Sequence, residues 1–126
     1  MTTIMAAEPQ LYVRDISASC RFYSSMLGFS VVFTYGEPPF YAQVARGGAC
    51  LNLRQVDEPV FEPVRRETEQ LLAASITLPD AAPLFHEYER AGVEFVHPLQ
   101  TESWGAKTFL IRDPDGNLLL FAGRPE

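Results

Sequence analysis

The chain carries one pattern twice. Leu11-Tyr12-Val13-Arg14-Asp15 precedes a helical stretch that closes on Leu27-Gly28-Phe29, and Ile76-Thr77-Leu78-Pro79-Asp80 precedes another that closes on Ala91-Gly92-Val93. The parallel continues into each half: Gly47-Gly48 opens the run Cys50-Leu51-Asn52-Leu53, and Asp115-Gly116 opens Leu118-Leu119-Leu120-Phe121. A chain built from two copies of one unit is expected to fold as two similar modules, with loop lengths absorbing the small drift in offset.

Local signals identify the unit. Asp15 and Asp80 each stand where a side-chain carboxylate caps a first helical turn and opposes the helix dipole. Cys20, Tyr23 and Leu27 recur at helical spacing, as do Leu84, Phe85, Tyr88 and Ala91, with Pro83 in a first turn where it is tolerated. Strands are expected at Val31–Tyr35, Phe40–Val44, Ala49–Val56, Val93–Val96 and Thr108–Ile111. Asp113-Pro114-Asp115-Gly116-Asn117 is a strong turn signal that closes a last hairpin. The expected fold is α+β, one domain over 1–126. It holds two tandem βαβββ modules at about 8–56 and 71–123, with a connector at about 57–70 that has a short helical piece at Val64–Leu72 and a solvated charged run, Arg65–Gln70.

Composition narrows the function. A net charge of −6 disfavours binding to phosphate backbones and tolerates a cationic ligand. No apolar run approaches the roughly 20 residues that span a bilayer, and Met1–Glu8 lacks the basic-then-apolar order of a secretory signal. Two cysteines, Cys20 and Cys50, are too few for a disulfide framework, so a reducing cytoplasm is expected.

The element order, together with Asp15-Ile16-Ser17, Phe22-Tyr23, Leu27-Gly28-Phe29 and Asp113-Pro114-Asp115-Gly116-Asn117, resembles the vicinal oxygen chelate superfamily of glyoxalases, bleomycin-resistance proteins and dioxygenases. Trp104-Gly105 ahead of Phe109 and the closing turn looks most like the bleomycin-resistance branch. The resemblance implies a curved, cup-like mixed sheet with helices on its outer face, a homodimer, and a small-molecule site shared between modules or subunits. Superfamily enzymes hold a divalent metal with His, Glu or Gln from four strands. The matching positions here are Glu8, Asn52, Ala73 and Leu120. Alanine and leucine donate nothing, and one carboxylate with one amide falls short of what a dication requires. The resulting expectation is a metal-free, cofactor-free protein that binds an antibiotic-like planar or cationic molecule. The alternative is a glyoxalase-like metal-dependent lyase or isomerase with Glu8 as base.

Without a metal, aromatic faces and a few polar groups must do the binding. The candidates are Tyr12 and Asn52, placed on the cup side by strand alternation, with Phe33, Tyr35, Tyr41 and Trp104. His86 is expected at a solvated helix edge, and His97 at a strand end before Pro98. No serine or cysteine stands in an activating context for nucleophilic chemistry.

Overall fold

The computed structural model describes residues 1–124, so the last two positions of the expected 1–126 domain lie outside it. The first module contains β1 (Gln10–Val13), α1 (Ile16–Arg21), β2 (Ser30–Tyr35), β3 (Tyr41–Arg46) and β4 (Ala49–Gln55). A connector with the short helix α2 (Pro63–Thr68) leads to β5 (Leu72–Leu78), α3 (Ala81–Ala91), β6 (Phe95–Thr101), β7 (Lys107–Arg112) and β8 (Leu118–Gly123). The sheets have orders β1-β4-β3-β2 and β5-β8-β7-β6, each a parallel outer pair followed by antiparallel neighbours. The repeat read in sequence is therefore a repeat in space.

Both expected caps form: the Asp15 carboxylate accepts from Ala18 N and that of Asp80 from Ala82 N, each at 3.1 Å. Three local expectations need correction. The first helix does not run uniformly to Leu27; it widens into a π turn at Phe22–Met26, where the Ser24 hydroxyl donates to the Cys20 carbonyl at 2.7 Å and competes with the backbone ladder. The expected strand Val93–Val96 begins later and runs on through Pro98, leaving His97 inside β6. Proline is tolerated there because β6 is an edge strand whose register is irregular between His97 and Gln100. Ala91 is exposed, and the buried face of α3 is Ala81, Phe85 and Tyr88.

Strand alternation sorts each sheet into two faces. Leu11, Val13, Ala42, Val44, Leu51 and Leu53 of the first sheet are fully buried, as are Phe109, Ile111, Leu119 and Phe121 of the second, all in one core with Tyr23, Leu27 and Tyr88 from the helical segments. The helices thus cover the face of each sheet opposite the cup side, and the two helix-bearing faces meet inside the chain. Aromatic rings pack α3 onto its own sheet in the second module, with Tyr88 edge-on to Phe109 and Phe121, and Phe109 stacked on Phe121 at 4.8 Å. Polar clamps hold the modules in register: Tyr88 Oη donates to Leu27 O at 2.7 Å, and Arg46 grips Glu87 through two bonds of 2.6 and 3.0 Å. Gly28, at φ +75°, lies so close to Arg46 that a Cβ would meet its Nη1 at 2.5 Å.

Candidate functional site

The first sheet's other face carries the candidates in two cross-strand rows. Paired Cα positions give Gln10, Asn52, Gln43 and Phe33 in one row, and Tyr12, Arg54, Tyr41 and Tyr35 in the next. Tyr41 is stacked on Phe33 with centroids 6.4 Å apart and planes 12° apart, and its hydroxyl donates to Gln10 Oε1 at 3.0 Å. Gln43 Nε2 donates to Asn52 Oδ1 at 2.9 Å, and the Arg54 guanidinium lies over Phe40 at 5.7 Å. Five of the six predicted ligand residues (Tyr12, Phe33, Tyr35, Tyr41 and Asn52) therefore share one face. That face is open: Phe33 is 43% and Tyr35 66% exposed.

Trp104 does not join them. It projects from the β6–β7 turn of the second module, 65% exposed. Gln100 and Thr101 belong to β6, so the turn spans only 102–106. It is braced by Glu102, which accepts from Thr108 Oγ1 at 2.7 Å and Gln100 Nε2 at 2.8 Å; those bonds hold its carboxyl below its ordinary value. The second sheet's other face has its own row, Ser75, Leu120, Leu110 and His97, in which Leu110 is buried. His86 is exposed and lies 3.4 Å from Glu89. Sequence reasoning missed Gln10 and Gln43, yet period-two alternation marks both: Gln43 stands between buried Ala42 and Val44, and Gln10 two before Tyr12.

The four family metal positions fit a metal poorly. Glu8 precedes β1, and the residue paired with Asn52 is Gln10, two positions on and on the same face. Likewise Ser75, not Ala73, pairs with Leu120. Ala73 falls at a β-bulge and packs against the core, which corrects its expected place inside the cup. Asn52 Oδ1 already accepts from Gln43, and Leu120 has no donor atom. Among the described residues no three His, Cys, Asp or Glu side chains converge to hold an ion. Glu8 instead approaches Cys50, whose thiol is pushed up by burial and then by that carboxylate.

Polar chemistry inside the chain concentrates at the closing turn. Asp113 is buried and accepts from Tyr23 Oη, Asn117 Nδ2 and the backbone N–H groups of Asp115 and Asn117, all within 2.9 Å. Burial nevertheless raises its carboxyl above the ordinary value, and burial followed by Asp113 raises the Tyr23 phenol well above its own. Two hollows adjoin the modules. A cleft of about 680 Å³ runs between them past Arg46, Cys50, Ser75 and Tyr88 and touches none of the six candidates. A smaller one of about 390 Å³, under the connector, has Tyr12 in its wall.

The family model described as the Glyoxalase/Bleomycin resistance protein/Dioxygenase superfamily matches residues 4–121. Among solved structures, the bleomycin-binding protein from Streptomyces verticillus complexed with copper(II)-bleomycin is 26% identical, with TM-score 0.75, over 98% of this chain and 99% of that one. The bleomycin resistance determinant encoded on transposon Tn5 is 22% identical with TM-score 0.77, covering 96% and 98% of the two chains. TioX from Micromonospora sp. ML1 is 22% identical with TM-score 0.73, covering 92% and 95%. Comparison with curated proteins returned no match.

Proposed function

Because the chain belongs to the Glyoxalase/Bleomycin resistance protein/Dioxygenase superfamily, we propose that it sequesters a planar or cationic small molecule of the bleomycin kind, without metal, in a cup completed by a second copy of itself. The observation that carries this reading is the open aromatic face of the first sheet, where Phe33, Tyr35, Tyr41 and Tyr12 stand beside the amides of Gln10, Gln43 and Asn52. Stacking surfaces with a few orienting amides are what a flat, hydrogen-bonding guest requires.

The exposure of the aromatic face supports dimerisation. The helix-covered faces contribute to one core, whereas Phe33 and Tyr35 of the first sheet and Trp104 of the second module are open to solvent. Opposing the first sheet of one copy to the second sheet of another would enclose both and cover exposed Phe33, Tyr35 and Trp104. The net charge of −6 favours a cationic guest at long range. The poor donor set at Asn52, Ser75 and Leu120 leaves no chelate step to derive.

Calorimetric titration with metal-free bleomycin tests the reading. Saturable binding that weakens at least tenfold in Phe33→Ala, with the fold retained, supports it; each tenfold is about 1.4 kcal/mol. Absence of heat with bleomycin and with planar cationic dyes, or stoichiometric metal in the purified protein, would contradict it.

A further inference from the structure

The connector run Arg65–Gln70, expected as a solvated face, turns one of its arginines inward. Arg66 is only 9% exposed although it sits on the short helix α2. Its guanidinium lies over the Phe61 ring at 4.5 Å and donates through Nη2 to Asn117 Oδ1, while Nε has no partner. Among the described residues no carboxylate comes within ion-pair distance of it. A buried guanidinium without an anion is costly, because its lost hydration goes unreplaced. Burial accordingly lowers its proton affinity below the ordinary value.

Arg66 borders the hollow of about 390 Å³ between β1, the connector and the closing turn. One wall is apolar and aromatic, made by Tyr12, Val56, Val60 and Phe61. Arg14, Arg66 and Arg112 face Glu67, Asp113 and Asp115 around it, so total charge selects nothing. Partner assignment does. Glu67 is held by Arg112 at 2.6 Å, Asp113 is filled by the four bonds described above, and Asp115 accepts from Arg14 N at 2.9 Å and lies 3.5 Å from Ser19 Oγ. The carboxylates are occupied; the Arg14 guanidinium is exposed to water, and the buried donor left unspent is Arg66 Nε.

We propose that this hollow is a second ligand site, one that takes a small aryl carboxylate with its ring against Tyr12 and Phe61 and its carboxylate on Arg66. The guanidinium carbon lies 4.5 Å over the Phe61 ring, and Nε, buried without a partner, is the donor that the carboxylate satisfies. Its anchor Arg66 takes no part in the sequestering cup, and although Tyr12 borders both, benzoate binding and bleomycin binding are read separately.

Benzoate, benzamide and inorganic phosphate are the probes, followed through the arginine Nε–Hε NMR resonances of the intact protein. Benzoate is expected to saturate and to shift the Arg66 resonance, benzamide to bind at least tenfold more weakly, and Arg66→Gln to weaken benzoate at least tenfold. Equal binding of benzamide, an Arg66 resonance unmoved by benzoate, or a response to phosphate alone overturns the assignment. Should Arg66→Gln fail to fold, the benzoate–benzamide contrast in the natural chain still decides.

Discussion

Asn117 has no exposed surface, and its carboxamide touches three parts of the chain at once. Its Nδ2 donates to Tyr12 O at 3.0 Å and Asp113 Oδ2 at 2.8 Å, while its Oδ1 accepts from Arg66. Sequence reading saw only a turn at Asp113–Asn117. That the turn docks onto β1 of the other module is a long-range fact that no local pattern encodes. Asn117→Ala removes the acceptor of buried Arg66, one of the four donors to Asp113 and the donor to the Tyr12 carbonyl, and is expected to lower unfolding free energy by about 2–4 kcal/mol in urea titration. A loss near zero would mean that water replaces the carboxamide. Asp113 carries its own pH signature. Its carboxyl is raised in the fold, so its contribution is present below the unfolded value of 3.8 and is lost as pH climbs through the folded one.

Elements were legible where periodicity and caps agreed. The capped α3, the closing hairpin and the alternation of β4 could be read because each rests on neighbouring residues. The π turn at Phe22–Met26 and the passage of β6 through Pro98 were not, since Ser24 competing for a carbonyl and an edge position in a sheet leave no mark in a hydrophobic pattern. One clamp between elements is testable by pH. Glu87 on α3 is held below its ordinary 4.5 first by its hydrogen bond from Arg46 on β3. A depressed carboxylate contributes stability above its unfolded value and loses it as pH falls through the folded one. Glu87→Gln should therefore flatten the fall in stability below about pH 4.5 relative to the natural chain, modestly because both partners are partly exposed. Melting temperatures across pH 3–6 measure this, and parallel curves would refute it. Asp113 is common to both proteins and cancels.

The whole molecule gathers the helix-covered faces of its two sheets into one core and leaves the aromatic face of the first sheet open. Alternation in the sequence placed Tyr12 and Asn52 on one face, and that face also holds Phe33, Tyr35 and Tyr41, which were named only as aromatic candidates; Trp104 stands apart, because module packing is decided by the shared core and not by any one strand. If a second copy completes the cup, sedimentation equilibrium at tens of micromolar should give a dimer, and Phe33→Glu with Tyr35→Glu should give a folded monomer. A natural chain that is monomeric yet still binds bleomycin would defeat the shared-cup geometry while leaving sequestration intact.

The intrinsic fluorescence of Trp104, the single tryptophan, reports on both the guest and the metal question in one titration. With excess chelator present, metal-free bleomycin should produce a saturable change in its emission, at a stoichiometry of one guest per cup. An emission that stays flat under chelation and responds only when a divalent metal is added would contradict metal-independent capture.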